Sequence, residues 1–457
     1  MVKDREFYKS IFKIALPSAF QALISFLVVI ADNVMVSYVG DKTSAQAAVA
    51  QVNSVTAFYT ATVLGLVGGS TVLISQYWGK KDTVHIKKIF KIVICACLFV
   101  ALLFTLIIRL FPQGIIALVI KSDETAVAEY ALIYLGIICF SYIPYALSFS
   151  IIGMLRAVEV VRVTLYITVT ALFTNITLNY VLIFGKFGFP ELGVAGAAIA
   201  TVICRIVEMI IVWIYAFKVQ KNLPIKLRDL LKTEKYLIAD YIKYGLPVGV
   251  TDMQWALIGM LKAAIIGQMG ATLVAAGSIA GSMMELGTMF TFALAGGACV
   301  VIGKTVGRGE YELAKKYSKT IQIMFLTIGI CMSGIILLIH RPFISLYGSS
   351  SDPEVYNLSV KLIMIIAVTI IGTSYHAGCF LGINRGGGDS RFVALVDMIC
   401  GWFVVLPSML LAAFVFHAPL PVVFLCSRID QCFKWIVALI RLRSDKWIRN
   451  VTHDGKK

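Results

Sequence analysis

Asp32 is the first residue in this sequence that an apolar setting does not explain. It stands in Ile30-Ala-Asp-Asn-Val-Met-Val36, inside a run long enough to cross a bilayer. A carboxylate there costs about 2.5–3.5 kcal/mol on insertion scales and marks an ion or substrate path. Asn175 and Asn179 are four residues apart, which stacks their amides on one helix face. Thr201 closes a run of small residues, Gly193, Ala195, Gly196, Ala197, Ala198 and Ala200, that lets helices approach closely. A carboxylate, two amide oxygens and a hydroxyl suit a hard monovalent cation such as Na⁺, and a desolvated carboxylate also takes up H⁺, so the two ions can compete for Asp32. The alternative is a static polar core in which neighbouring amides cap Asp32.

Other ionisable residues interrupt apolar stretches. Arg205 and Glu208, three apart, are placed to satisfy each other. Arg428, Asp430 and Asp397 either line a cavity or pair among themselves. Lys262 either snorkels to the end of its span or pairs with Glu285 or Asp397. Soft and aromatic side chains, Trp255, Met283, Met284 and Phe290 among them, offer an adaptable surface for varied ligands, with core or lipid-facing packing as the plainer reading. Gln254, Trp255, Met284 and Glu285 are the expected substrate contacts, with Glu285 attracting a cation.

The elements that must position these residues are membrane spans. The chain has 457 residues, 59% hydrophobic and 14% charged, with a mean hydropathy of +0.87. This composition defines an all-α integral membrane protein. Twelve stretches can cross about 30 Å of hydrocarbon, beginning near residues 12, 44, 91, 126, 163, 192, 241, 272, 319, 357, 392 and 418. The net charge of +16 is not a nucleic-acid footprint. Placing both termini on one side puts 30 of the 41 Lys and Arg in the loops and tails of that side and six in the opposite loops. The positive-inside rule then makes both termini cytoplasmic, in the cell membrane. The basic run from Arg441 reads as a stop-transfer flank or a contact for anionic lipid. Ten scattered cysteines and five isolated histidines form no metal motif. The first apolar stretch is too long for a signal peptide and is expected to remain as a span.

The chain also repeats itself. Ala15-Leu-Pro17 returns as Gly245-Leu-Pro247, Gly68-Gly69 as Gly296-Gly297, and Gly153-Met-Leu-Arg156 as Gly382-Ile-Asn-Arg385, at offsets of 228 to 230. Six spans per half give two six-helix lobes related by a parallel pseudo-two-fold repeat, which places a transport site between halves near the midplane. The expected boundaries are 1–217 and 241–441 for the lobes, 218–240 for a cytoplasmic linker and 442–457 for a basic cytoplasmic tail. Pro17 and Pro247 are either hinges or ordinary helix-start prolines.

Five motifs in order then carry a family resemblance: Ala31-Asp32 with Val39-Gly40; Gly65-Leu-Val-Gly-Gly69 with Leu73-Ile-Ser-Gln76 and Gly79-Lys-Lys-Asp82; Asn175-x-x-x-Asn179 through Gly185; Gly188 through Thr201; and Arg385-Gly-Gly-Gly-Asp389. Over its whole length the sequence resembles the MATE family, the multidrug and toxic compound extrusion transporters. The resemblance implies a monomeric exporter of amphipathic, often cationic compounds, exchanged for inward Na⁺ or H⁺ without a further cofactor. It also carries the family's first-lobe cation site onto Asp32, Asn175, Asn179 and Thr201. Two positions depart from the pattern. Arg156-Ala-Val-Glu159 replaces a glycine-rich turn, so a looser loop is expected there, and Trp255 stands where some members have an acid. A flippase of lipid-linked sugars is the alternative cargo reading, but it needs several cations along a central cavity. A membrane enzyme finds no converging nucleophile, base or metal set.

Overall fold

The computed structural model describes residues 2, 4–36, 42–120, 125–220, 223–224, 234–346 and 352–453. Val39-Gly40, Ser122 and Ser351, which begin a further repeat of Ser122-Asp-Glu as Ser351-Asp-Pro at an offset of 229, and about half of the expected linker, including Lys221, Asn222 and Lys226, lie outside the described residues.

The elements are helices: α1 (Arg5–Val36), α2 (Lys42–Gly79), α3 (Thr83–Leu110), α4 (Pro112–Val119), α5 (Thr125–Ile138), α6 (Tyr142–Ala157), α7 (Arg162–Phe184), α8 (Gly193–Ile214), α9 (Lys235–Asp240), α10 (Leu246–Gln268), α11 (Ala271–Gly307), α12 (Tyr311–Leu346), α13 (Pro353–Ala377), α14 (Ser390–Ile399), α15 (Leu406–Leu410), α16 (Leu420–Cys426) and α17 (Lys434–Arg443). In hydrocarbon a backbone N–H or C=O has no water to turn to, so an apolar chain closes its hydrogen bonds within each segment. Ten helical stretches among the described residues are long and apolar enough to cross a membrane. Their outer surfaces carry Phe99, Leu106, Leu338, Val368 and Phe403, each more than half exposed, which a lipid phase would cover.

The other two expected spans have a different character. α10 has 23 residues, enough to cross, but bears Asp252, Gln254 and Lys262. The final stretch is broken: α16 stops at Cys426, a 3₁₀ turn covers Ile429–Cys432, and α17 starts at Lys434. Wide π-helical turns at Gly378–Asn384, Cys400–Val405 and Leu411–Val415 interrupt the two preceding spans. Such irregular backbone is tolerated at membrane depth where protein or a cavity receives its polar groups.

The chain forms two compact units. The N-unit comprises Phe20–Thr71 and Thr83–Ile242, and the C-unit comprises Met1–Ala19, Val72–Asp82 and Lys243–Lys457. The division runs through α1 and α2, so the C-unit includes the start of α1 and the end of α2 as well as the second half of the chain.

Within the N-unit, Tyr59 stacks on Tyr142 at 4.1 Å between centroids and donates its hydroxyl to Tyr142 O at 2.6 Å. At the end of α7, Gly185 takes the left-handed φ of 62° and Leu192 N donates to Leu182 O at 3.0 Å. That tight return brings α8 alongside α7, and with it Thr201 onto a helix neighbouring Asn175 and Asn179. Beyond the spans, the Lys88 ammonium donates to Glu234 and holds its carboxyl below the usual carboxylate range.

Within the C-unit, the ends of α2 and α11 cross with almost no side chain between them. A Cβ on Gly79 would lie 2.2 Å from Lys304 O, and one on Gly307 would lie 2.0 Å from Gln76 O. The repeat offset of 228 equates Gln76 with Lys304 and Gly79 with Gly307. The contacts are therefore reciprocal between equivalent positions, as a local two-fold relation requires. The basic tail is docked as far as His453, whose N donates to the Tyr77 hydroxyl at 3.4 Å. Trp447 is 1% exposed, Arg449 N donates to Gly387 O at 2.7 Å, and Val451 N donates to the Gln76 side chain at 2.8 Å.

The looser turn expected at Arg156–Glu159 is not found. Val158, Glu159 and Val160 donate to Met154, Arg156 and Leu155, the pattern by which Gly387, Gly388 and Asp389 donate to Ile383, Arg385 and Asn384. Glu159 accepts a φ of 63° where its counterpart Gly388 has 91°. Hydrogen bonding fixes the turn and the side chain bears the strain. Lys81 and Gly309 form a second such pair, with φ of 59° and 79°. A non-glycine residue in this region costs roughly 1–2 kcal/mol. Lys81→Gly should therefore raise the thermal unfolding midpoint and Gly309→Ala lower it, each by the equivalent of about 1 kcal/mol. Shifts of the same sign would contradict this account.

Candidate functional site

In the N-unit, α1 delivers Asp32 to the paired amides of α7. Asn179 Nδ2 donates to Asp32 Oδ1 and, at 3.2 Å, to Asn175 Oδ1. Asn175 and Asn179 are buried, and Asp32 is partly exposed. Asn179 Oδ1 is buried with no hydrogen-bond partner. An orphaned amide oxygen beside a carboxylate is a ligand position for a hard cation, because burying it otherwise costs about 1–3 kcal/mol. Thr201 does not join this cluster by a hydrogen bond, since its hydroxyl donates to Ala197 O of its own helix at 3.1 Å. Arg205 pairs with Glu208 at 2.8 Å and lies 5.2 Å from the Tyr145 ring centroid.

In the C-unit, the broken last segment supplies most of the polar groups. Lys434 Nζ lies 2.9 Å from Asp397 and 2.8 Å from Asp430, and all three side chains are buried. Arg428 donates to Thr369 at 2.7 Å and Thr373 at 3.1 Å, and also to the Met284 sulfur. Arg428 and Asp430 do not pair with each other. Lys262 pairs with neither Glu285 nor Asp397; it donates to Ser427 O at 2.9 Å, a carbonyl freed by the helix break. Lys262 and Lys434 lie 5.8 and 4.9 Å from the Trp255 ring centroid. Asp252, one turn before Trp255, pairs with Arg385 at 2.9 Å.

The expected substrate contacts are thus placed unequally. Trp255 and Met284 reach the charged chamber, Gln254 is 5% exposed with an unpartnered Nε2, and Glu285 is exposed. Lys434 was not singled out from the sequence, although its i, i+4 spacing from Asp430 is a pairing signal. Pro17 lies well inside α1, and Pro247 follows a π-helical turn at Tyr241–Gly245 that joins α9 to α10 in one continuous helical stretch, so both prolines stand inside helices. Among the described residues no group of three or more His, Cys, Asp or Glu is arranged to hold a metal ion.

A polytopic helical protein with duplicated halves and a polar cluster inside each unit has the architecture of a membrane transporter. The MatE family profile matches residues 17–181 and 247–419, and the chain belongs to the MatE family, whose members are transporters and not enzymes. The uncharacterized transporter YisQ of Bacillus subtilis is 24% identical over 445 residues, covering 96% of this chain and 95% of its own. A probable multidrug resistance protein NorM of Thermotoga maritima is 24% identical over 443 residues, covering 97% and 93%. A multidrug resistance MATE family transporter of the MOP superfamily, solved in an outward-facing conformation, shares the fold with a TM-score of 0.85 at 18% identity over 96% of each chain.

Removing one partner of a buried ion pair leaves the other charge uncompensated, at a cost of about 3–5 kcal/mol. Lys434→Met strands two carboxylates and should lower the thermal midpoint sharply. Adding Asp397→Asn and Asp430→Asn should recover much of the loss, whereas an additive, still lower midpoint would show that the triad does not act as a unit.

Proposed function

We propose that this chain is a secondary active antiporter, exporting amphipathic organic compounds by alternating access in exchange for inward Na⁺ or H⁺. The observation that carries the reading is the Asp32–Asn179–Asn175 cluster with its unpartnered amide oxygen. A cation there would take the Asp32 carboxylate and Asn179 Oδ1 as ligands, while a proton would neutralise the same carboxylate, so either ion removes the charge that resists desolvation. Thr201 stands on the neighbouring helix as a further hydroxyl oxygen.

Export then needs α1 to bend. Pro17 removes a helix hydrogen bond, and it precedes by two residues the point where α1 passes from the C-unit to the N-unit. Pro247 is placed alike, just after a π-helical turn and a few residues past the passage from Ile242 to Lys243 between the units, so both prolines are hinge candidates. The names of multidrug relatives and the exposed Glu285 beside Met284 support a positively charged group on the cargo. Segregation of Lys and Arg supports a multi-pass protein with both termini in the cytoplasm, acting as a monomer in the cell membrane. The flippase reading gains from the cations of the C-unit, but Lys434 is engaged by two carboxylates, which leaves too few for a polyanionic head group.

Purified protein in liposomes, loaded with a fluorescent amphipathic compound, should extrude it when a Na⁺ gradient or a pH gradient is imposed. Asp32→Asn should abolish the response to the effective ion, a loss of at least about tenfold in initial rate. Asn179→Ala should raise the half-maximal ion concentration. Full gradient-driven efflux by the Asp32→Asn protein would refute the coupling role.

A further inference from the structure

In the N-unit the Asn179 amide oxygen beside Asp32 is a buried acceptor without a hydrogen-bond partner. At the repeat offset of 230 the counterpart of Asp32 is Lys262, a donor whose hydrogen-bond partner is the Ser427 carbonyl.

Five charged side chains gather at the break between α16 and α17, Lys262 of α10, Arg428 and Asp430 of the break, Lys434 of α17 and Asp397 of α14, with Thr369 and Thr373 of α13 and Met284 of α11 beside them. His376 of α13 is also buried in this region, bonded through Nδ1 to Gly372 O at 3.1 Å. Both carboxylates are held by Lys434. Arg428, 8% exposed, finds two hydroxyls and a thioether, and Lys262 finds one backbone carbonyl. Neither forms an ion pair with a carboxylate among the described residues, so the chamber keeps one uncompensated positive charge. A buried cation in that condition is costly to maintain and is retained where an anion can complete it. Trp255 points the same way. Resident ammonium groups already lie within cation–π distance of its ring, so it has little to offer a cationic cargo and instead holds Lys262 in position.

We propose that this chamber, with Lys262 as the charge-bearing contact, binds a carboxylate-type oxyanion carried by the transported compound. The proposal rests on the export reading for calling the compound cargo, but the binding site itself does not depend on coupling.

The test uses the full-length protein in detergent and two probes that differ in one charge: a rhodamine with a free carboxylate and its methyl ester. Binding is read by fluorescence anisotropy with no ion gradient. The free acid should bind about tenfold more tightly than the ester. Lys262→Met should erase that preference without weakening the ester, and Lys262→Arg should keep it. Equal affinities, tighter binding of the ester, no binding of the free acid, or a preference unchanged in Lys262→Met would overturn the proposal. A carboxylate preference in a protein that then fails to transport under either gradient would sink the export reading and leave this site standing.

Discussion

Inside a hydrocarbon layer a polar group is satisfied by protein or not at all, and most features of this structure answer that constraint. It makes the elements helical, and it leaves Thr and Ser hydroxyls returning protons to their own helices, as Thr201 does to Ala197. It also explains why the irregular backbone gathers in the C-unit. There the break between α16 and α17 frees the Ser427 carbonyl and receives Lys262 in return.

The same constraint gives meaning to the few groups left incomplete. A buried polar atom without a partner costs about 1–3 kcal/mol, and a ligand that completes it recovers that cost. Asn179 Oδ1 is one such atom, and the Lys262 and Arg428 charges are the C-unit equivalents. The repeat sets a carboxylate at position 32 of one half against an ammonium at position 262 of the other.

Symmetry is kept where backbone meets backbone and lost where side chains differ in charge. The crossing of α2 and α11 retains reciprocal glycine contacts, Gly79 on Lys304 and Gly307 on Gln76. The turns at Glu159 and Gly388 keep the same hydrogen bonds although one has lost its glycine. At Asp32 and Lys262 the charge is inverted. Geometry that sets how helices stack tolerates strain of about 1–2 kcal/mol but not a new path, whereas a side chain that faces a ligand is free to change with it.

Much of the architecture was legible in the sequence because it depends on local, additive properties. Hydropathy sums along a segment, so the apolar helices could be read off, and internal repeats announced the two-fold relation before any contact was known. Asn175 and Asn179 shared a face because four residues make about one helical turn. The sequence determined which groups were anomalous in an apolar chain: Asp32, Arg205, Lys262, Arg428 and Asp430. Only the tertiary structure decided which partners they found. It gave Asp430 and Asp397 to Lys434, left Lys262 with a carbonyl and an indole face, docked the tail from Trp447 to Val451, and broke the last span at the residues that carry its charge. Periodicity places a side chain on a face of its own helix, but a partner is fixed by distance and direction between helices far apart in the chain, and those are set only when the units pack.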